Sequence, residues 1–195
     1  MIQAFIFDLD GVVVDTAKYH YQAWKELAGE LGFDFPEAEG ERMKGVRRMD
    51  SLEIVLESGR ITGLTAEEKK RLADRKNKSY LTYINRLDER EILPGILKFL
   101  KKIRAEGYKT ALGSASKSGG MILQKLGIAD LFDVIVDGLS IVKAKPDPEV
   151  FLAAAAKLGA DPGNCIVIED AQAGVLAAKN GGMHCIGIGS EEILK

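Results

Sequence analysis

The sequence predicts an α/β protein: a doubly wound parallel sheet interrupted by an all-helical insert. Three observations predict it. Five short apolar runs, partly β-branched, stand at residues 2–7, 109–113, 134–136, 165–168 and 184–188 and read as strands. Helical patterns fill the intervals between the last four runs, an alternation that implies right-handed crossovers and a sheet covered on both faces. The interval from about residue 15 to residue 88 breaks the alternation and carries amphipathic helical patterns instead.

Taken in order, the first run contains Ala4-Phe5-Ile6-Phe7, apolar on both alternating faces, and stops at Asp8-Leu9-Asp10-Gly11. Tyr21, Trp24, Leu27, Ala28 and Leu31 then recur at helical spacing over residues 17–31. Pro36 punctuates the following turn, and Thr65 with Glu68 three residues later opens a long charged helix within 65–87. Leu93-Pro94-Gly95 marks the return to the α/β pattern, followed by a helix over 96–104. Further helices are expected over 117–126 (Met121, Ile122, Leu123, Leu126), 148–158 and 171–180. The expected organisation is an α/β core from residues 1–14 and 89–195, with a helical cap domain at 15–88.

Composition narrows the function classes. The 195 residues are 46% hydrophobic and 29% charged, and 27 basic against 29 acidic side chains leave a net charge of -2. Such a balance gives no electrostatic footprint for nucleic acid or an anionic membrane. Cys165 and Cys185 lie in apolar runs and read as small buried thiols rather than a disulfide or zinc site. The first apolar run is short, interrupted by Asp8 and Asp10 and without a basic leader, so neither a signal peptide nor a membrane span is expected. The expected setting is a reducing cytoplasm, and the expected state a monomer.

In an open parallel sheet, ligands bind beyond the carboxyl ends of the strands, where strand order reverses. The polar residues of this sequence gather at those ends: Asp8 and Asp10 after the first run, Ser114-Ala115-Ser116-Lys117 after the second, Glu169-Asp170 after the fourth, and Lys145-Pro146 in the connection after the third. Two like charges about 4 Å apart repel by roughly 4 kcal/mol at an effective dielectric near 20. A divalent cation removes that conflict, and an all-oxygen donor set suits Mg²⁺. Strand-end Asp residues that merely cap loops are the blander reading of any one position, and they explain four strand ends at once poorly. Ser114 with the following N–H groups, and Lys145 as a point charge, supply complementary groups for a phosphate.

Asp8-Leu9-Asp10-Gly11-Val12, Ser114, Lys145-Pro146 and Glu169-Asp170, in this order, resemble the motifs of the haloacid dehalogenase superfamily of phosphohydrolases and phosphomutases. The resemblance covers essentially the whole chain and implies a Rossmann-like core with a helical cap. Thr16, His20 and Trp24, the stretch Lys44-Gly45-Val46-Arg47-Arg48, and Ser114-Ala115-Ser116-Lys117 are similar to members that interconvert β-glucose 1-phosphate and glucose 6-phosphate through the 1,6-bisphosphate. That resemblance implies Asp8 as nucleophile and Asp10 as general acid and base. Mg²⁺ is then held by the Asp8 carboxylate, the Asp10 carbonyl, Glu169 and Asp170, and the transferring phosphoryl group by Ser114, Ala115 and Lys145. Arg48 takes the distal phosphate, with Arg47 beside it as the alternative. Thr16, His20 and Lys44 couple cap closure to the placement of Asp10, and Trp24, Gly45, Ser116 and Lys117 complete the substrate and cap set. The implied partner is a small sugar phosphate, and the alternative activity is sugar-phosphate hydrolysis.

Blander roles stand beside these. Trp24 on the apolar face reads as core, His20 between two tyrosines as a packed or solvent-facing histidine, and Lys44, Arg47 and Arg48 as a solvated surface. Members of the family usually continue past the last strand with another strand and a helix. Ending at residue 195 is expected to leave one sheet edge or helix face bare, without removing any site residue.

Overall fold

The structure is a computed structural model that describes residues 1–43 and 46–189. The chain runs β1 (Ala4–Phe7), α1 (Ala17–Glu30), α2 (Glu37–Glu41), α3 (Arg48–Ser58), α4 (Ala66–Ile84), α5 (Ile96–Ala105), β2 (Lys109–Gly113), α6 (Gly119–Lys125), β3 (Val134–Val136), α7 (Glu149–Leu158), β4 (Cys165–Glu169), α8 (Gln172–Asn180) and β5 (His184–Gly187). It divides into two compact units. Met1–Asp15 joins Leu87–Lys195 in one, and Thr16–Arg86 forms the other.

The first unit holds a five-stranded, all-parallel sheet in the order β3-β2-β1-β4-β5. β1 lies at its centre, pairing Phe7 with Leu112 on one side and with Ile168 on the other. All four β1 residues are buried, because a central parallel strand is covered on both faces. The period-2 alternation splits them between two cores. Ala4 and Ile6 join Ala111, Val167 and the inner side of α7, including Phe151, Ala154 and Ala155. Phe5 and Phe7 turn the other way, where Phe5 meets Phe99 and Tyr108 edge-on at 5.6 and 5.2 Å and Phe7 meets Phe132 at 5.8 Å. α5 closes that side through Ile96, Leu100 and Ile103, spaced along one helical face.

The chain builds outward from β1 through β2 to β3, then returns to add β4 and β5 on the opposite side. Strand order therefore reverses at β1, and the carboxyl ends of β1, β2 and β4 border the resulting crevice. Both cysteine thiols are free, Cys165 buried and Cys185 half-buried. No helix among the described residues is long and apolar enough to cross a membrane.

The second unit is all helical. Trp24, Leu27 and Ala28 of α1 pack with Phe35, with Leu52, Val55 and Leu56 of α3, and with Ala73 of α4. Trp24 is a core residue, 2% exposed, as its place on the apolar face of α1 predicts. The expected cap of α4 forms in both directions: Glu68 N donates to Thr65 Oγ1 at 3.3 Å, and Thr65 N donates to Glu68 Oε2 at 2.8 Å. Two helices here are not separated by the sequence reading, the short α2 after Pro36 and α3 from Arg48. The apolar stripe of α3 is only Leu52, Val55 and Leu56, too brief a periodicity to stand out. Lys44 and Gly45, and the closing residues 190–195, lie outside the described residues.

Candidate active site

Asp8 follows the last residue of β1, and its N–H donates to the Ile168 carbonyl of β4 at 3.0 Å. Since Phe7 pairs with Ile168, Glu169 stands one step on, in the same row as Asp8. The chain beyond Asp8 turns sharply: Val13 N and Val14 N both donate to Leu9 O, and Gly11 N donates to Val14 O. Leu9, Val12, Val13 and Val14 are buried beneath this turn, which carries Asp10 half-buried at its edge.

Ser114 leaves the end of β2, buried, its N–H donating to Val136 O at 3.0 Å. Its Oγ accepts from Ser116 N at 3.1 Å, and Ser116 Oγ accepts from Ser118 N at 3.3 Å, so the loop after β2 is curled by its own hydroxyls. Ala115 and Lys117 are exposed on that loop. Gly138 presses against it from the end of β3, where a Cβ would lie 2.2 Å from the Ala115 carbonyl oxygen.

Lys145 joins two of the acids. Its Nζ donates to Asp8 Oδ1 at 2.6 Å and to Glu169 Oε2 at 2.9 Å, and lies 4.7 Å from the centre of the Phe151 ring. Burial by itself disfavours the ammonium, yet the charges of Asp8 and Glu169 outweigh it and hold the Lys145 pKa above the ordinary lysine range. The Glu169 pKa is pushed upward as well, by burial and then by the charge of Asp8, against the pull of Lys145. Its second oxygen accepts from Ala171 N at 3.2 Å.

The carboxylate oxygens of Asp8, Glu169 and Asp170 lie within 4.8 Å of one another. At that separation each ionised pair repels by about 3–4 kcal/mol at an effective dielectric near 20. Three carboxylates facing one ammonium still leave a formal excess of two negative charges. Two glycines make room for this crowding. A Cβ on Gly174 would lie 2.0 Å from Glu169 Cδ, and one on Gly11 would lie 1.9 Å from Asp170 Oδ2. Hard oxygen donors gathered around one point, Asp8 and Glu169 buried and Asp170 half-buried, fit a small divalent cation such as Mg²⁺. The Asp10 side chain is outside this carboxylate cluster.

Residues 2–182 match the family described as haloacid dehalogenase-like hydrolase. The chain belongs to this family. Among haloacid dehalogenase-like proteins it is 44% identical over 189 residues to a β-phosphoglucomutase of Bacillus subtilis, covering 96% of this chain and 84% of that protein. A crystal structure of a β-phosphoglucomutase from Clostridium difficile superposes with a TM-score of 0.91 at 45% identity, covering 100% of this chain and 87% of that one. A phosphorylated carbohydrates phosphatase of Thermotoga maritima is 30% identical, covering 95% and 84% of the two chains.

The helical unit carries the remaining expected residues. Thr16 is buried just before α1, and Arg48 opens α3. His20 stacks on Tyr80 at 4.0 Å, and its Nδ1 and Lys76 Nζ share a hydrogen bond at 2.7 Å. Burial, then the charges of Lys76 and Arg48, holds the His20 pKa down to about 3. His20 is therefore neutral at physiological pH. Lys76 is buried between the Trp24 and Tyr80 rings at 4.7 and 5.0 Å, and burial with the charge of Arg48 lowers its pKa to about 7. The sequence reading misses Lys76. The available signal is its spacing: Ala73, Lys76, Tyr80 and Ile84 form the buried face of α4, where a lysine is out of place.

Proposed function

We propose that this protein is a β-phosphoglucomutase, moving a phosphoryl group between O1 and O6 of β-D-glucose phosphates through an aspartyl phosphate and β-glucose 1,6-bisphosphate. The observation that carries the reading is Asp8 itself. It is a buried carboxylate 2.6 Å from an ammonium and within 4.8 Å of two further acids, at the strand-order reversal of a haloacid dehalogenase-like sheet. High identity to a β-phosphoglucomutase over nearly the whole chain supports the substrate class.

In this reading phosphorylated Asp8 passes its phosphoryl group to O6 of β-glucose 1-phosphate, giving the 1,6-bisphosphate; once that turns around, an Asp8 oxygen attacks the phosphorus on O1, glucose 6-phosphate departs and the aspartyl phosphate is restored. Asp10 gives a proton to the departing oxygen and takes one from the attacking hydroxyl. Lys145 and the Ser114 hydroxyl, with the N–H groups of the loop through Ala115, Ser116 and Lys117, hold the equatorial phosphoryl oxygens. Asp8, Glu169, Asp170 and the Asp10 carbonyl would hold Mg²⁺, which when bound supplies positive charge to the transferring group. Arg48, aided by Lys44 and Gly45, grips the distal phosphate. Thr16, His20 and Trp24 support the cap's response to that grip, with Lys76 fixing the His20 ring. We assign residues 15–88 the role of a cap that excludes water, the enzyme to the cytoplasm, and a monomer as its working state.

Hydrolysis of a sugar phosphate is the second reading, favoured by the similarity to the Thermotoga phosphatase. The two separate in one assay. Given β-glucose 1-phosphate with a trace of the 1,6-bisphosphate and Mg²⁺, the protein is expected to make glucose 6-phosphate, and Asp8→Asn to abolish both turnover and the covalent label. Release of inorganic phosphate without isomerised sugar would reject the mutase and support the phosphatase.

A further inference from the structure

The Lys145 ammonium is fixed by two acids, but both contacts must loosen if its hydrogen bonds pass to a phosphoryl group. Its position then depends on the backbone that carries it. That backbone belongs to the connection between β3 and α7, which has no ladder partner and a single apolar anchor, Ile141 against the core, while Leu139 is 74% exposed and Val142 85% exposed. Beyond Ile141, this loop is held by polar contacts.

Those contacts converge on Glu149, the first residue of α7. Its Oε1 accepts from Val142 N at 3.0 Å and its Oε2 from Lys143 N at 2.6 Å, so both oxygens grip the segment directly before Lys145. Glu149 is itself anchored, its own N–H donating to Asp147 Oδ1 at 3.0 Å while Asp147 N donates to Ala144 O at 3.0 Å. On the other side of Lys145, Asn180 Nδ2 donates to Pro146 O at 3.0 Å. α7 is a stiff support, since the neighbouring Val150 and Phe151 are buried core residues and the Phe151 ring lies beneath the ammonium. A carboxylate in the first turn of a helix is also favoured by the helix dipole.

We propose that Glu149 is the positioning residue for Lys145: by holding two successive N–H groups it sets the height at which the ammonium meets Asp8, with Asn180 bracing the far side. This rests on the phosphoryl-binding role assigned to Lys145 above. Two readouts test the clamp and that role separately. The first is the acylation rate of each lysine by an amine-directed reagent, followed by peptide mass spectrometry on the whole protein. Glu149→Ala is expected to raise labelling of Lys145 about tenfold or more while Lys109, bonded to Leu158 O, stays unchanged. Unchanged protection of Lys145 overturns the clamp, and a uniform rise at all lysines assigns Glu149 a merely structural role and overturns it too.

The second readout is the rate of phosphoryl labelling of Asp8 by acetyl phosphate with Mg²⁺, in a double-mutant cycle. Glu149→Ala is expected to slow it about 10–100-fold in the parent protein and less than about twofold in Lys145→Ala. Equal losses in both backgrounds overturn the proposal. A normal rate in Lys145→Ala alone removes the premise, a failure of the functional reading that the first readout distinguishes. Glu149→Gln keeps the shape and offers one acceptor in place of two. It is expected to fall between parent and Glu149→Ala, and it carries both tests if the alanine variant does not fold.

Discussion

Gly174→Ala probes the acidic cluster without touching a charge. The new Cβ would lie 2.0 Å from Glu169 Cδ and 2.3 Å from Oε1, where ordinary carbon contacts are about 3.5–4.0 Å. The glycine sits in the first turn of α8, whose Ala177 and Ala178 are buried, so the helix cannot easily retreat and the Glu169 carboxylate must move by about 1.5 Å. Such a displacement carries its bonds to Lys145 Nζ and Ala171 N, now 2.9 and 3.2 Å, beyond hydrogen-bonding range. Hydrogen bonds to a charged group contribute about 1.5–3 kcal/mol each, so the variant loses about 3–6 kcal/mol of local interaction. Replacing helical glycine returns about 1 kcal/mol. The expected result is a folded protein whose Mg²⁺ affinity, read by calorimetric titration, falls about 10–100-fold, with turnover rescued in part by excess Mg²⁺. Parent-like Mg²⁺ affinity in a folded Gly174→Ala protein would refute the idea that Glu169 is held in place by the absence of a side chain opposite it.

Two further outcomes follow from the helical unit. Arg48→Ala is expected to lower turnover of β-glucose 1-phosphate about tenfold or more while sparing hydrolysis of a small aryl phosphate, which has no distal phosphate to grip; equal losses in both assays would refute the assignment. Lys76, with its folded pKa near 7 against 10.5 in the unfolded chain, binds fewer protons folded than unfolded between those values. Stability should therefore rise with pH across that window, by at most about 1.4 kcal/mol per pH unit, and fall as pH drops through 7. Urea unfolding between pH 7 and 9 measures the slope, and Lys76→Met is expected to flatten it.

The elements most readable from sequence are those whose physics is local. The runs at 109–113 and 134–136 are strands with the expected bounds, because β-branched apolar residues between turn signals leave few alternatives. Thr65 and Glu68 cap α4 because both partners lie within one turn of each other. α3 was harder to read, since its short stripe gains its meaning only from Phe35 and Ala73, residues of other elements.

By itself the sequence determined which groups stand at the strand ends: Asp8, Ser114, Glu169 and Asp170 follow runs whose hydrophobicity forces them inward, so their polar successors must emerge at one edge of the sheet. Tertiary structure alone decided how those groups meet. The bonds from Lys145 to Asp8 and Glu169, Glu149 reaching back to Val142 and Lys143, Lys76 beneath His20, and the glycines that admit Glu169 and Asp170 all join residues across elements or turns. The physical reason is range. Propensity and capping act within a turn or two of the chain, whereas charge pairing, desolvation and steric exclusion act through space and take their values only once the fold has brought distant residues together.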